Sequence, residues 1–235
     1  MISGYNICRK PLNQIDFESY KIINTINSHS FCVAKYDSEF SDALVDSDLL
    51  FPDGIGIVLA EFFLNRVKIK KIAGFDIFIF LMNRLNNSGG SVFFLGSSIE
   101  TLNKIKNKCS IDYPNISISS YSPPFKNSFS DKDSKIMVKN INDFRPDILF
   151  VGMTAPKQEK WVNQFKNQIK AKNICSVGAV FDFYAGNSKR APKFIIKLGL
   201  EWLHRSINNR RLFVRNMISN PKFILYILKI KLFKK

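Results

Sequence analysis

Between residues 91 and 177 the chain alternates four short apolar runs with longer amphipathic stretches, and this alternation restricts its fold more than any other feature. Residues 91–96 (SVFFLG) are apolar and aromatic almost throughout, as a strand buried on both faces is. Residues 98–109 follow with apolar side chains at 99, 102 and 105 and lysines between them, which predicts an amphipathic helix. Residues 116–121 read as a second strand, ended by Ser122-Pro123-Pro124, and 133–144 as a helix. A third strand over 147–153, a helix over 156–168 and a fourth strand over 173–177 complete the series. This spacing predicts an α/β fold: a Rossmann-like, mostly parallel sheet with helices on both faces. Ligands bind such sheets beyond the C-terminal strand ends, so the loops 96–98, 121–125, 152–158 and 178–186 are where a site is expected.

The first ninety residues are less regular. Residues 38–45, 55–64 and 75–85 read as helices, and 51–56 (FPDGIG) as a Pro/Gly turn. The end of the chain differs in charge. Residues 189–235 hold thirteen Lys or Arg and one acid, Glu201, whereas the residues before them hold 22 basic and 18 acidic side chains. A near-neutral α/β domain over 1–190 therefore carries a basic helical appendage over 191–235, with helix breaks expected at Asn208-Asn209 and Asn220-Pro221. Such a segment needs an anionic partner: nucleic acid, an acidic membrane surface or a phosphate-bearing substrate. Its basic residues are interleaved with aliphatic and aromatic ones from Phe194 to Phe233, which suits the interface of a bilayer. RNA is the rival partner, but no RRM or KH signature occurs.

Other classes are excluded. Cys8, Cys32, Cys109 and Cys175 form no C-x-x-C pair, so neither a zinc ribbon nor a disulfide scaffold is readable, and they suit idle thiols in a reducing compartment. Two histidines, His29 and His204, lie too far apart in sequence to suggest a metal site. Residues 1–16 lack the pattern of a signal peptide, and no run of about 20 apolar residues is present to span a bilayer.

Several residues have types and settings that suit chemistry. Asp53 lies at a glycine turn among Leu50, Phe51, Pro52 and Ile55, where desolvation would make it a stronger base. On the residues alone the favoured reading is that it caps the helix starting near Ile55. Thr25 and Asn27 suit a grip on ligand hydroxyls, yet Asn and Ser here favour a plain turn. Residues 152–159 (GMTAPKQE) end a strand and open a helix. They read equally as an anion site of free N–H groups and Lys157, or as an ordinary loop capped by Thr154. Residues 178–186 (GAVFDFYAG) suit stacking on a base and hydrogen-bonding a ribose or uracil edge, or else a bulged, aromatic-rich strand end packed in the core. The D-x-D triplets Asp46-Ser47-Asp48 and Asp131-Lys132-Asp133 read as solvated caps rather than metal sites.

Taken together, these segments resemble the WecG/TagA/CpsF family of bacterial glycosyltransferases. The resemblance covers about residues 25–221. It is carried by Thr25-x-Asn27, 50–56 (LFPDGIG), 73–76 (AGFD), 93–96 (FFLG), Pro123-Pro124-Phe125, 152–159, 178–182 (GAVFD) and 199–205 (GLEWLHR). It implies an inverting enzyme, working without a metal or other cofactor, that moves a sugar from a UDP-sugar to a polyprenyl-diphosphate-linked saccharide for a cell-surface polysaccharide. An N-acetylmannosamine-type donor is the first expectation. The place of action is the inner face of the cytoplasmic membrane, with the anionic membrane surface as partner and no nucleic acid. A homo-oligomer is compatible with the sequence. The resemblance makes Asp53 the base and lets Thr25 and Asn27 orient the sugar. Lys71, Gly74, Asp76, Gly96, Pro123, Gly152, Lys157, Gln158 and Asp182 would bind substrate, with Asp182 and the Gly96 and Pro123 loops holding uridine and residues 152–158 meeting the charge on UDP. Arg205, Arg210, Arg211 and Arg215 would meet the diphosphates. Lys71 stands where the family often has Arg, which keeps the charge and loses the bidentate fork. Two alternatives stand: a UDP-glucose or UDP-glucuronate transferase of the same family, and a non-catalytic basic Rossmann-like binding module.

Overall fold

A computed structural model of the chain describes residues 2, 4–207 and 209–233, apart from the side chains of Lys193 and Lys197. Asn208, Lys234 and Lys235 of the basic segment lie outside the described residues.

Six strands form one wholly parallel sheet: β1 (Lys21–Ile26), β2 (Leu49–Pro52), β3 (Gly90–Gly96), β4 (Ile116–Tyr121), β5 (Ile148–Gly152) and β6 (Asn173–Ser176). Their spatial order is β2-β1-β6-β5-β3-β4. Helices α1 (Ser28–Ala34), α2 (Ser38–Val45), α3 (Ile55–Asn65) and α4 (Gly74–Ser88) belong to the first half. Helices α5 (Ile99–Asp112), α6 (Asp131–Phe144), α7 (Lys157–Phe165) and α8 (Val180–Tyr184) follow. The basic segment forms α9 (Lys193–Lys197), α10 (Glu201–Ile207) and α11 (Arg210–Phe233). The α/β architecture with helices on both faces is thus the one the alternation predicts.

The alternation along each strand sorts the core into two layers, because successive side chains point to opposite faces. Ile23, Phe94, Phe150 and Cys175 pack with α4, α5 and α8 on one face. Ile22, Phe93, Leu149 and Ile174 pack with α6 and α7 on the other. Every residue of β5 is buried, which explains its unbroken apolar run. Capping residues mark the helix starts. Ser98 accepts from the Thr101 N–H at α5, and Ser130 with Asp133 forms a reciprocal box at α6. All four cysteines are unpaired.

The first half holds elements the periodicity does not reveal. The segment read as a turn after Thr25 is the start of α1, with Asn27 as its N-cap: Asn27 Oδ1 accepts from Ser30 N–H at 3.0 Å. Phe51-Pro52, read as part of a turn, ends β2, an edge strand where proline leaves no ladder bond unmade. β1 contains a buried polar residue, Asn24, whose amide donates to Ser47 Oγ at 2.9 Å. The break expected at Asn208-Asn209 is matched by Asn209, whose Oδ1 accepts from Leu212 N–H at 3.1 Å. The break expected at Asn220-Pro221 does not occur, since α11 runs through Pro221. An internal proline costs a helix about 3 kcal/mol, and packing of α11 on the body offsets it. Phe223 and Ile227 are buried with Phe31 of α1 and Ile57 of α3, and the Phe31 and Phe223 rings meet edge to face at 5.2 Å.

Replacing Phe223 by Ala should therefore cost about 3 kcal/mol of stability. Chemical denaturation checks it, and a loss below roughly 1 kcal/mol would mean that α11 is not anchored there.

Candidate active site

The six C-terminal strand ends lie on one edge of the sheet, and the loops leaving them, closed over by α10 and α11, enclose a cavity of about 2360 Å³. Sites for one small molecule measure roughly 300–1,000 Å³, so two substrates fit here together. A close backbone approach shapes its floor. Gly96 has φ +117°, and a Cβ there would lie 2.5 Å from the Gly152 carbonyl oxygen. A Cβ on Gly152 would overlap the Phe181 ring.

Asp53 stands where β2 ends. Its N–H donates to the Ile26 carbonyl at 2.8 Å, which ties it to the end of β1. Gly54 follows with φ +133° and ψ 150°, a conformation open essentially to glycine. Gly54 itself is the N-cap of α3 and no side chain caps that helix, so the cap reading of Asp53 does not hold. Among the described residues no hydrogen bond engages the Asp53 carboxylate, which lines the cavity. Burial pushes this carboxyl up to about 6 from its ordinary 3.8. Lys71 and Arg205 act against that shift, and Glu201 and Asp76 add to it. Thr25, in register with Phe51, and Asn27, beside Gly54, line the same wall.

A charge network stands next to Asp53. Lys71 Nζ lies 2.9 Å from one Glu201 oxygen and Arg190 Nε 2.9 Å from the other. Arg190 also reaches Asp76 at 3.1 Å and stacks on Phe75. Asp76 Oδ2 accepts from the Ala73 N–H at 3.0 Å, so this acid fixes the start of α4 and does not line the cavity. Glu201, the one acid of the basic segment, thereby fastens α10 to the body.

The loop after β5 differs from its expectation. Gln158 Oε1 accepts from the N–H groups of Met153 and Gly178, both at 3.1 Å, and so joins the β5 and β6 loops. The Lys157 N–H donates to Thr154 O, and Pro156 is the N-cap, so Thr154 does not cap α7. Fewer N–H groups are left for an anion there than the sequence suggests. Lys157 lines the cavity, donates to the Lys126 carbonyl at 2.8 Å and lies over Phe129. Residues 180–184 form α8, not a strand end; Phe181 and Tyr184 are buried, while Asp182 and Phe183 face the cavity.

Three arginines of the basic segment, Arg205, Arg211 and Arg215, line the cavity. Arg205 stacks on Phe183 at 5.1 Å. Among the described residues the buried Arg215 Nε has no hydrogen-bond partner, and burial, then Arg205 and Arg211, disfavours its charge. Like charges gathered around a buried, unsatisfied N–H leave a place for an anion. Arg210 is exposed and outside the cavity. Gly74, Gly152 and Pro123 line the wall, and Gly96 supports it from behind.

Some members of the site carried no sequence signal of their role. His29 accepts or donates at 2.8 Å to Ser219 Oγ of α11, and burial with the charge of Arg215 pushes its pKa down to about 4. Glu159 is buried, pushed up to about 7 by that burial, and its Oε2 has no partner. Both D-x-D triplets serve the fold: Asp48 accepts from Ile22 N–H, Asp46 pairs with Lys166, and Asp133 pairs with Lys126. Among the described residues no group of three or more His, Cys, Asp or Glu is placed to hold a metal, and no helix is long and apolar enough to cross a membrane.

A carboxyl whose folded pKa is raised binds its proton more tightly in the native state, so its ionisation weakens the fold as pH rises from about 4 to about 6. Asp53→Asn removes that ionisation. The variant should melt above the unsubstituted protein at pH 7.5, with the difference shrinking towards pH 4. Thermal unfolding at both pH values reads this, and an equal difference at both would mean the carboxylate is not desolvated.

Comparison with known proteins places these features. The model of the glycosyl transferase WecG/TagA/CpsF family matches residues 6–235. The chain is 33% identical over 215 residues to the N-acetylglucosaminyldiphosphoundecaprenol N-acetyl-beta-D-mannosaminyltransferase of Bacillus subtilis (strain 168), covering 92% of this chain and 82% of that protein. It is 29% identical over 243 residues to the enzyme of the same name from Bacillus spizizenii, covering 94% and 91%. The Staphylococcus aureus (strain MW2) enzyme of that name is 29% identical over 209 residues, covering 89% and 80%.

Proposed function

The chain belongs to the WecG/TagA/CpsF family of glycosyl transferases, and we propose that it transfers N-acetylmannosamine from its UDP-sugar to a GlcNAc carried on a polyprenyl diphosphate, with inversion at the anomeric carbon. The observation that carries this reading is the Asp53 carboxylate, which among the described residues has no hydrogen-bond partner and lines a cavity with room for two substrates. The relatives' names supply the sugar and the acceptor.

The chemistry follows from the geometry. Asp53 takes the proton of the acceptor hydroxyl as that oxygen bonds to the anomeric carbon. The bond from that carbon to the UDP oxygen breaks on the opposite face, and UDP leaves with the electron pair. A base whose pKa is raised to about 6 is ionised at neutral pH and still strong enough to accept a proton. Thr25 and Asn27, on the same wall, orient the sugar hydroxyls. The negative charge of the diphosphates meets Arg205, Arg211 and Arg215, in surroundings where fixed charges act strongly. Asp182 and the Pro123 loop bound the part of the cavity that takes uridine. Lys71, held by Glu201, keeps a positive charge near Asp53 without pairing with it.

Residues 191–235 act as an appendage that completes the site. Its outward side carries Val214, Ile218, Leu225 and Leu232, all about half exposed or more, among its basic residues. That combination favours the surface of an anionic bilayer, where a lipid-linked acceptor resides. The enzyme then works as a peripheral protein on the inner face of the cytoplasmic membrane.

Asp53→Asn should lower kcat by roughly 10²–10⁴-fold, the span of a lost general base, while UDP binding stays within a few-fold. UDP release from UDP-N-acetylmannosamine with a prenyl-diphosphate GlcNAc acceptor measures the first, and calorimetric titration with UDP the second. For the unsubstituted enzyme kcat/KM should rise with pH to a plateau, with a midpoint at about 6. A variant that keeps its rate would remove Asp53 from the chemistry.

A further inference from the structure

Helix α3 is apolar on its outer side as well as its inner one, which is unusual for a helix at the surface. Its one charged residue, Glu61, is fully buried, paired with Arg9 at 3.0 Å and accepting from the Asn65 amide at 3.1 Å. Its outward residues include Leu59, Phe62 and Phe63, which are 58%, 41% and 39% exposed. An ordinary surface helix presents polar residues outward, as α5 does with Lys104 and Lys108. On α3 the outward face is apolar as well as the inward one, and among the described residues α11 covers it only in part.

That face is a wall of the cavity rather than a free patch. Leu59, Phe62 and Phe63 line it together with Ile224, Ile227 and Leu228 of α11. Helix α11 approaches closely because Gly56 lacks a side chain: a Cβ there would lie 3.4 Å from the Phe223 ring and would overlap Ser28 Oγ. The far end is marked by Lys231, whose Nζ sits 5.7 Å from the Phe63 ring. Because α3 begins two residues after Asp53, its 11 residues form an apolar track of about 16 Å leading away from the carboxylate.

We propose that the track between α3 and α11 seats the first part of the acceptor's polyprenyl chain. This rests on the glycosyltransferase reading above. The occupant follows from the chemistries gathered in one cavity: a base at Asp53, three arginines with an unsatisfied N–H, and an apolar track that starts beside Asp53. The acceptor in the relatives' names has the matching series, a sugar hydroxyl, a diphosphate and a long hydrocarbon. The remaining apolar residues of α11, such as Leu225 and Leu232, lie outside this cavity and belong to a different face.

The test uses the full chain with two acceptors, prenyl-diphosphate GlcNAc with a chain of several isoprene units and the same molecule with a short alkyl chain, each in detergent. The double substitution L59S/F62S should reduce the preference in KM for the long chain by about tenfold, the loss expected when two large apolar contacts go. Ile111→Ser, at an exposed apolar position on α5, should keep that preference. Sedimentation with phosphatidylglycerol vesicles and sedimentation velocity are run alongside. If L59S/F62S weakens vesicle binding or self-association while the chain-length preference stays intact, the face serves a bilayer or a second copy and the proposal is overturned. If the unsubstituted protein transfers sugar but ignores chain length, the seat alone falls. If it transfers to neither acceptor from any UDP-sugar, the enzymatic reading fails, and the seat with it.

Discussion

The whole arrangement depends on six strands running the same way. Parallel pairing places every C-terminal strand end on one edge, and the backbone groups leaving that edge have no further ladder to join. The loops must find other partners, and they find them in each other. Gln158 joins the β5 and β6 loops, Ser122 joins the β4 loop to Ser97, and the Asp53 N–H joins β2 to β1. The rim is rigid because these bonds connect neighbouring loops. The cavity exists because none of them crosses it.

Into that rim the basic segment brings what the sheet lacks. The body offers a carboxylate, small polar groups and cations already engaged, Lys71 and Arg190 on Glu201 and Lys157 on a carbonyl, and the further arginines come from α10 and α11. Two unlike attachments keep them there. One is apolar, Phe223 and Ile227 on α1 and α3; the other is ionic, Glu201 on Lys71 and Arg190. The ionic one is shielded, with Lys71 and Glu201 each about 15% exposed, so it resists screening better than a surface pair. It also leaves Asp53 near a cation that is already matched, which holds the carboxyl at a pKa suited to a base.

The sequence was legible where physics is local. Three of the four strands from Ser91 on, β3, β5 and β6, follow from their short buried runs and the helices from their apolar stripes, whereas β4 is a half-buried edge strand marked by the Ser122-Pro123-Pro124 stop that ends it. β1 escaped notice because Asn24 and Thr25 interrupt its apolar run, and only the tertiary partner of Asn24 makes it tolerable in a core. Pro221 reads as a stop because the cost of an internal proline is local, whereas the burial that offsets it lies in α1 and α3. Asp53 illustrates the limit best. The residue was identifiable as special, but its immediate neighbours favour a cap, and only the motif as a whole pointed to a base. Glu159 and His29 lay beyond reach, since their burial and their partners are set by helices distant in sequence.

The lopsided charge has a consequence of its own. Three-quarters of the excess positive charge, 12 of 16, sits in residues 189–235, part of which closes the cavity. Such a body is an electrical dipole, and near a negative surface it feels a torque at a separation comparable with the Debye length, about 8 Å at physiological ionic strength. It turns before it touches. On the anionic bilayer proposed above, that torque would turn the basic segment towards the surface before contact.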